Sequence, residues 1–340
     1  MRSPEAIRRL PKAELHVHLD GSLRPATLIE LARSSGVSLP SGDPEVVRQF
    51  MAVSRAGSLD RYLERFAITV AVLQTAEAIE RAAWEMVEDA ARDGIRYLEV
   101  RYCPSLSLER GLTLDEVLAA QWRGLESGGR QFGVRTAIIC CTLRHLSPSI
   151  SLAIAEASIR HRDRGVVGFD IAGGEASHPA APHAEAFARA GRGGLGITVH
   201  AGEAAGPASI REALALGARR LGHGTRLPED QGLSAEVRQQ GIAIEACLSS
   251  NVQTGAVASV EAHPLRRWLD AGQLVTLCAD NWLMSDVTLS GEYALAQRIF
   301  GLGDEQVDAL ILNGFRSAFL PEADRRALVQ RYTAELAAQA

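Results

Sequence analysis

Short apolar runs alternate with amphipathic stretches along this chain, and the alternation limits the folds that it can adopt. The apolar runs have the length and β-branched content of buried strands, and several follow a glycine that would end a helix. Between them, residues 75–93 and 205–217 carry apolar side chains at the three- and four-residue spacing of a helix. The predicted strands are Ala13–Leu19, Ile95–Tyr102, Arg135–Thr142, Gly165–Ala172, Leu195–Ala201, Arg220–His223, Ile242–Ser249 and Leu274–Asp280.

Eight strands, each followed by a helix, predict an α/β fold of the (β/α)8 TIM-barrel type. An open doubly wound sheet is the alternative, but no glycine fingerprint follows the first strand. The segment 23–92 is too long for one connection and predicts extra helices over the barrel mouth. Its SLDRYLERF stretch would place Leu59, Tyr62, Leu63 and Phe66 on one face, either as a lid or packed on the barrel wall.

Polar side chains follow several predicted strands, at the end where such barrels carry their catalytic groups. These strand ends read HVHLD, VHAGE, LGHG, ACLSSN and CADN. His16 and His18 are two residues apart in a strand, so both imidazoles point to one face. Buried ionisable groups need partners, so four histidines and two carboxylates at one depth indicate a metal site. The converging set is His16, His18, His200, Glu203, His223 and Asp280.

The ligand types indicate the metal. Imidazole nitrogens with one carboxylate and no thiolate fit zinc or a similar divalent ion. The candidates come from separate strands, which favours a catalytic ion with an open position over a structural zinc. HAE at His183–Glu185 matches the H-x-E opening of cytidine-type zinc deaminases, but their P-C-x-x-C motif is missing. We therefore expect His183 at the surface.

Composition restricts the partners and the compartment. A formal charge of −5 provides no basic field for a phosphate backbone, so we expect no nucleic-acid partner. The five cysteines lack C-x-x-C spacing, which predicts buried free thiols and a reducing compartment. The beginning MRSPEAIRRLPKAE has no apolar segment, and no run reaches the ~18 apolar residues of a membrane span. We expect a cytoplasmic protein without membrane contact, with residues 1–340 in a single domain.

The motifs of this chain are similar to those of the adenosine deaminase family of the amidohydrolase superfamily. The resemblance rests on PKAELHVHLDGSLRP, VHAGE, RLGHGTRL, LSSNVQTG, HPLRRWLDAG and the final ADN, which follow the family's order over nearly the whole chain. It implies a zinc-bearing (β/α)8 barrel, in agreement with the strand pattern. It also implies a hydrolase that converts a 6-aminopurine nucleoside, adenosine, to inosine and ammonia by attack of a metal-activated water at C6.

The resemblance further implies the metal ligands and the catalytic groups. One Zn²⁺ ion would be held by His16, His18, His200 and Asp280, with water as the remaining ligand. His223 would orient and deprotonate that water, and Glu203 would donate a proton to purine N1. Asp280 would thereby belong to the catalytic machinery as well as to the metal site.

Substrate contacts follow from the same resemblance. The backbone N–H of Gly173 would meet purine N3, Asp20 would meet the ribose 5′-hydroxyl, and His18 would lie beside the substrate. The family pattern Asp-Asp-Pro is replaced here by Asp280-Asn281-Trp282. Purine N7 is an acceptor, so the amide of Asn281 can donate to it without the protonation that an aspartate needs.

The sequence leaves alternatives open for the substrate and for the class of protein. Asp20 favours a nucleoside over free adenine, but a 5′-modified adenosine is not excluded, such as methylthioadenosine or aminodeoxyfutalosine, an intermediate of menaquinone biosynthesis. A binuclear amidohydrolase would usually bridge two metals with a lysine on strand four, and GVVGFDIAGG has none. A non-catalytic relative that binds nucleoside or metal would not need His223 and Glu203. The oligomeric state is not indicated.

Overall fold

A computed structural model, which describes residues 1–54 and 56–338, has eight parallel strands at its centre. Each strand pairs with the next along the chain, and both faces are largely buried because one fills the barrel and the other meets helices. The strands are β1 (Lys12–His18), β2 (Ile95–Tyr102), β3 (Arg135–Leu143), β4 (Val166–Ala172), β5 (Gly196–Ala201), β6 (Arg220–His223), β7 (Ala243–Ala246) and β8 (Val275–Leu277).

The first strand and the chain just after the last one close the ring. Val17 and Asp280 form a parallel bridge. The backbone N–H of His18 donates to the carbonyl of Asp280 at 2.9 Å, and the N–H of Asp280 donates to the carbonyl of His16 at 2.8 Å. The predicted (β/α)8 barrel is therefore confirmed, and the open-sheet alternative is wrong.

Helices surround the ring, and the predicted helices at 75–93 and 205–217 are confirmed as α6 and α10 of the following series. The α-helices are α1 (Pro4–Arg9), α2 (Pro25–Ser35), α3 (Pro44–Met51), α4 (Leu59–Leu63), α5 (Phe66–Val72), α6 (Ala76–Arg92), α7 (Leu114–Phe132), α8 (Pro148–Arg160), α9 (Ala184–Arg192), α10 (Pro207–Ala215), α11 (Gln231–Gln239), α12 (Leu248–Gln253), α13 (Leu265–Asp270), α14 (Leu289–Phe300), α15 (Asp304–Ser317) and α16 (Glu322–Ala337). Short 3-10 helices lie at Pro104–Ser107, Arg162–Arg164, Ala181–His183 and Leu227–Glu229.

Helix α7 illustrates how the sequence defines one of these elements. It begins with a capping box, in which the hydroxyl of Thr113 accepts from the N–H of Glu116 at 3.2 Å and the Glu116 carboxylate accepts from the N–H of Thr113 at 2.8 Å. Gly124 faces α6, and a Cβ there would lie only 2.2 Å from the carbonyl oxygen of Glu80. Glycine is therefore required for the close approach of α6 and α7.

The connection between β1 and β2 supplies the extra helices over the barrel mouth. Helices α4 and α5 face the carboxyl end of the barrel, where their side chains and the strand ends line one cavity. The backbone N–H of Val53 donates to the carbonyl of Met284 at 2.8 Å, and the Tyr62 hydroxyl lies 2.7 Å from Ser285 Oγ. These contacts attach the connection to the loop after β8. Leu59, Tyr62, Leu63 and Phe66 line the cavity, which is the position that the lid interpretation of SLDRYLERF predicts.

Three local predictions are wrong. The eighth strand ends at Leu277 instead of Asp280, although Asp280 still forms a bridge with Val17. The seventh strand ends at Ala246 instead of Ser249, because the apolar Leu248 is buried as the first residue of helix α12. His183 is buried, not exposed: its Nδ1 lies 2.8 Å from Ser151 Oγ and its Nε2 lies 3.2 Å from the carbonyl of Arg144. The side chain stabilises the packing of the chain between β3 and α9, a role that its H-x-E neighbourhood does not reveal.

The cysteine prediction is confirmed, since all five are buried and free: Cys103, Cys140, Cys141, Cys247 and Cys278. Across residues 1–54 and 56–338, no helix combines the length and the apolar character needed to cross a membrane. The assignment of residues 1–340 to a single domain stays a prediction.

Candidate active site

A cavity of about 290 Å³ opens at the carboxyl end of the barrel, beneath helices α4 and α5. The structure brings the predicted site residues together around it, and His16 alone of the set does not line it and is fully buried. The predicted residues that line the cavity are His18, Asp20, Gly173, His200, Glu203, His223, Asp280 and Asn281.

Four side chains converge at one point of this site. One ligand atom from each of His16, His18, His200 and Asp280 lies within 4.8 Å of the others. Asp280 Oδ1 is 3.3 Å from His16 Nε2 and 3.5 Å from His18 Nε2. The Nε2 atoms of His18 and His200 are 3.2 Å apart. Three imidazoles and one carboxylate thus present their coordinating atoms to a common centre.

The donor set fits a zinc ion. Bonds of about 2.0–2.2 Å at angles of about 90–110° would separate neighbouring ligand atoms by roughly 3.0–3.5 Å, and the three distances of 3.2–3.5 Å fall in this range. His16 Nε2 is buried and, within the part of the chain that is described, makes no well-aligned hydrogen bond, although Asp280 Oδ1 lies 3.3 Å away. A bound cation would satisfy that atom, whereas an unpartnered buried nitrogen costs free energy.

Carboxylates behind the cluster orient two of the histidines. Glu245 Oε2 lies 2.8 Å from His16 Nδ1, and Asp170 Oδ2 lies 2.9 Å from His200 Nδ1. A carboxylate at Nδ1 places the hydrogen there and leaves the Nε2 lone pair for a metal. Arg101 is fully buried and joins both carboxylates, with distances of 2.7 Å to Asp170 and 2.9 Å to Glu245.

A second buried arginine continues this network below the site. Arg220 lies 2.6 Å from Glu245 and 2.6 Å from Glu99, and all three side chains are excluded from solvent. Buried charges are tolerated when they are paired and hydrogen-bonded, so each arginine balances carboxylates that would otherwise be unpaired. The barrel interior beneath the site is therefore an ion-pair network, not an apolar core.

Two site residues have a left-handed backbone. His223 has φ 69° and Asp280 has φ 64°, and non-glycine residues with positive φ are uncommon and concentrate at functional sites. Ser250 Oγ donates to Asp280 Oδ2 at 2.6 Å. Because that bond occupies Oδ2, the other oxygen of Asp280 faces the histidines.

A chain of hydrogen bonds determines the tautomer of His223. The backbone N–H of Leu265 donates to His263 Nδ1 at 3.1 Å, so the neutral His263 ring carries its hydrogen on Nε2. That atom lies 3.2 Å from Asn251 Oδ1, and the Asn251 amide nitrogen lies 3.0 Å from His223 Nδ1. Burial lowers the pKa of His263 to about 3 and that of His223 well below its ordinary value. The neutral His223 ring therefore carries its hydrogen on Nε2, 3.6 Å from Glu203 Oε2.

Glu203 is a buried carboxyl group that retains its proton. Burial, together with the negative charges of Asp280 and Glu175, raises the pKa of Glu203 to about 8. Its side chain is 4% exposed and lines the cavity. Near neutral pH it is consequently a proton donor, which is unusual for a glutamate.

The remaining predicted residues provide polar groups around the cavity. Burial raises the pKa of Asp20 to about 7, and its Oδ1 has no hydrogen-bond partner among residues 1–54 and 56–338. Asn281 packs against Gly21, where a Cβ would lie 1.7 Å from Asn281 Oδ1. Gly173 has φ 98°, a conformation that favours glycine, at the cavity wall.

Apolar side chains from the lid form another part of the cavity wall. Leu59, Leu63 and Phe66 line it together with Val70. A mostly apolar wall with a few polar groups is typical of a small-molecule site, and flat apolar surfaces suit an aromatic ring.

The sequence of the whole chain resembles known purine deaminases. The family profile described as adenosine deaminase matches residues 11–334. An adenosine deaminase from Mycobacterium leprae (strain TN) is 44% identical over 342 residues, which cover 96% of this chain and 94% of that protein. This likeness extends through every strand that contributes to the cavity.

Solved structures agree with the sequence comparison. An adenine deaminase from Arthrobacter aurescens has a TM-score of 0.88 at 26% identity, with 96% of this chain and 99% of that chain covered. The N6-methyl-AMP deaminase from Arabidopsis thaliana has a TM-score of 0.87 at 27% identity, with 98% of both chains covered. This chain is accordingly a hydrolase that removes an amine from a purine, and it belongs to the adenosine deaminase family.

Proposed function

We propose that this chain catalyses the hydrolytic deamination of adenosine to inosine and ammonia, with one zinc ion as cofactor. The observation that carries the proposal is that the buried carboxyl group of Glu203 lines the same cavity as His18, His200 and Asp280 of the ligand cluster, where burial raises its pKa to about 8. A proton donor beside a metal site suits attack of water on a ring carbon with protonation of the adjacent nitrogen. The free buried cysteines are consistent with action in the cytoplasm on a small molecule.

The metal would be held by His16, His18, His200 and Asp280. When bound, zinc lowers the pKa of water from about 15.7 to about 7, so that hydroxide is available near neutral pH. Glu245 keeps the hydrogen of His16 on Nδ1 through a hydrogen bond, and the Asp170 carboxylate, 2.9 Å from His200 Nδ1, favours the same tautomer of His200. Both Nε2 lone pairs would then face the ion site.

Glu203 would deliver a proton to purine N1. Attack at C6 interrupts the aromatic ring, and protonation of N1 stabilises the charge that develops there. Burial and two neighbouring carboxylates keep Glu203 protonated until the substrate is in place. Once C6 is tetrahedral, the exocyclic amino group would take the proton of the added hydroxyl group and leave as ammonia, which gives the 6-oxo purine with a hydrogen on N1. Ionisation of the next water would return a proton to Glu203.

His223 would orient the attacking water. Its Nε2–H faces the cavity, so it can donate to the water oxygen and direct a lone pair toward C6. Its Nδ1 already accepts from Asn251 and is unavailable. This arrangement favours orientation of the water by His223 over the deprotonation that the family resemblance implies.

Two groups on the cavity wall would hold the purine. The N–H of Gly173 would donate to N3, and the amide of Asn281 would donate to N7. With Glu203 at N1, three donors would then form hydrogen bonds with three acceptor nitrogens of a 6-aminopurine. A pyrimidine could not satisfy all of them, and the unpaired donors would reduce its binding.

The ribose would lie between Asp20 and His18. Asp20 Oδ1 is an open acceptor for a 5′-hydroxyl. The described residues that line the cavity include no arginine or lysine, so a 5′-phosphate would meet an acidic side chain without a balancing cation. These features support a nucleoside in place of the nucleotide named for the Arabidopsis relative, and a 5′-modified adenosine remains the alternative substrate.

The test is ammonia release by the zinc-loaded protein from adenosine, methylthioadenosine, aminodeoxyfutalosine, AMP and adenine. We expect the largest kcat/KM for adenosine, at least tenfold above AMP and adenine. A preference for methylthioadenosine or aminodeoxyfutalosine would keep the reaction and change the 5′ group. Absence of turnover of all five, with one zinc bound per chain, would refute the proposal.

A further inference from the structure

Glu175 forms a concentrated set of hydrogen bonds next to the candidate active site. Its Oε1 accepts from the backbone N–H of Gly202 at 2.6 Å and from the hydroxyl of Ser209. Its Oε2 accepts from the backbone N–H groups of Glu203, Ala204 and Ala205 at 2.9, 2.6 and 2.9 Å. One carboxylate thus binds four consecutive amides of the loop after β5.

This carboxylate is stabilised by dipoles instead of by a countercharge. Glu175 is 5% exposed, and within the described part of the chain no cationic nitrogen lies within 4.0 Å of it. Hydrogen bonds from a row of backbone N–H groups are a recognised way to hold an anion in a protein. The negative charge of Glu175 is therefore not neutralised by an adjacent cation among the described residues, and it lies beside the segment that carries Glu203.

Glu175 also links two loops that approach the substrate from different strands. It lies two residues after Gly173, in the loop that follows β4. Its hydrogen-bond donors belong to the loop that follows β5 and include the N–H of Glu203 itself. Movement of one loop relative to the other would therefore break several of these bonds together.

We propose that Glu175 is a positioning residue. It holds the carboxyl group of Glu203 where it can protonate purine N1 while the N–H of Gly173 donates to N3. The inference rests on the proposed function for the identity of the ring atoms. It assigns to Glu175 no contact with substrate or metal. The charge of Glu175 is also one of the causes of the raised pKa of Glu203, which supports a close relation between the two carboxyl groups.

The variant Glu175→Gln tests this role. The glutamine amide has one acceptor oxygen and adds a donor where donors already converge, so the loop should loosen. We expect kcat for adenosine to fall about 10²-fold, as a misplacement of about 1 Å can cause. KM should change less than about threefold, because the nucleoside contacts of Asp20, His18 and Asn281 come from other parts of the barrel. The alkaline limb of the pH profile should move to lower pH.

A second readout does not depend on substrate. Hydrogen exchange of the amides of residues 202–205, followed by mass spectrometry, should become faster in Glu175→Gln. The matched control is Asp93→Asn, since Asp93 is also a buried carboxylate that accepts a backbone N–H, that of Ser290 at 2.9 Å, at the opposite end of the barrel. The control should lose stability and keep both the kcat and the exchange rate of residues 202–205.

Each outcome decides the inference. Faster exchange with unchanged kcat, or unchanged exchange, would overturn it. If Glu175→Gln does not fold, Ser209→Ala is the second variant, since it removes one donor and keeps the carboxylate. Its kcat should fall and its exchange should become faster, both by less than in Glu175→Gln. A Ser209→Ala protein with faster exchange and wild-type kcat would also overturn the inference. If the unmodified protein releases no ammonia from any adenosine, the proposed function fails, and the exchange measurement alone then decides whether Glu175 holds the loop.

Discussion

The amide nitrogen of Asn251 lies 3.0 Å from Nδ1 of His223, and this contact keeps the hydrogen of the neutral imidazole on the nitrogen that faces the cavity. The polarity of the contact originates at the backbone N–H of Leu265, which can only donate. A fixed backbone group thereby controls the hydrogen of a side chain in the active site, through two intervening residues.

Replacement of Asn251 by aspartate should disturb this control. The carboxylate cannot donate to Nδ1, and its charge raises the pKa of His223, so the imidazole becomes charged over part of the working range. We expect Asn251→Asp to lower kcat about 10²-fold and to move the acidic limb of the pH profile to higher pH. Asn313→Asp is the matched control, since Asn313 bonds the carbonyl of Val275 outside the site. An acidic limb at the wild-type position would contradict the assigned tautomer.

Removal of the metal should reduce both activity and stability. An ion that binds only the folded state stabilises it by about 4 kcal/mol at a thousandfold excess over Kd. We therefore expect chelation to abolish deamination and to lower Tm, and added zinc to restore both. Asp280→Ala should lose the response of Tm to zinc. His161→Ala should keep it, because His161 is buried against Asp115 away from the cavity.

The pH dependence of kcat/KM should follow the ionisation of the Glu203 carboxyl group. Its folded-state pKa is raised to about 8, so the donor form is complete below about pH 7 and is lost as the pH rises through 8. We expect kcat/KM to decline above this value, as measured in buffers from pH 6 to 10. Asp20→Asn should bind substrate less tightly and retain the same alkaline limb. A limb that disappears in Asp20→Asn would instead assign the titration to Asp20.

Gly21 should be required for the purine contact of Asn281. A methyl group at position 21 would overlap Asn281 Oδ1, so Gly21→Ala should displace the amide and lower kcat/KM at least tenfold. Gly191→Ala is the control, because a Cβ there meets no atom within 4 Å. Steady-state kinetics with adenosine distinguish the two. Equal activity of both variants would show that Asn281 does not hold the purine.

The buried Arg101 should matter more for stability than an exposed arginine. Arg101→Met leaves Asp170 and Glu245 without their shared cation, and removal of one partner of a buried ion pair costs about 3–5 kcal/mol. Arg123→Met breaks a half-exposed pair with Glu80 and should cost less than about 1 kcal/mol. Urea unfolding of the metal-free proteins provides both values. A cost for Arg101→Met as small as that for Arg123→Met would contradict the assigned role of the network.

The barrel and its ligand cluster could be predicted from the sequence, because both follow from the order of strands and helices along the chain. Alternating strands and helices define the barrel, and its geometry brings the carboxyl ends of all strands to one face. His16 and His18 end β1, His200 lies at the end of β5, and Asp280 comes just after β8, so no detailed packing was needed to expect them together. The two-residue spacing of His16 and His18 was sufficient to predict a shared face.

The residues behind the cluster were not predicted, although their signal was present. Asp170 and Glu245 are isolated charges within the apolar stretches FDIA and AIEA, and Arg101 lies two residues after Glu99 in EVRY. A charge in a strand buried on both faces needs a partner, but the sequence does not reveal which strand supplies it. Glu175 was harder to recognise, since four of its donors are backbone N–H groups that every sequence contains.

The bridge between Val17 and Asp280 joins the first strand of the barrel to the chain after the last one, so the ligands on its two sides are synthesised far apart in time. The chain leaves the ribosome from its N-terminus, so His16 and His18 emerge first and Asp280 follows only after all eight strands have been made. Until then, the edge of β1 has no partner on one side and the fourth ligand does not exist. A nascent or truncated chain would therefore lack one ligand of the proposed zinc site, and under the proposed function the complete site would form only after the whole barrel has been translated.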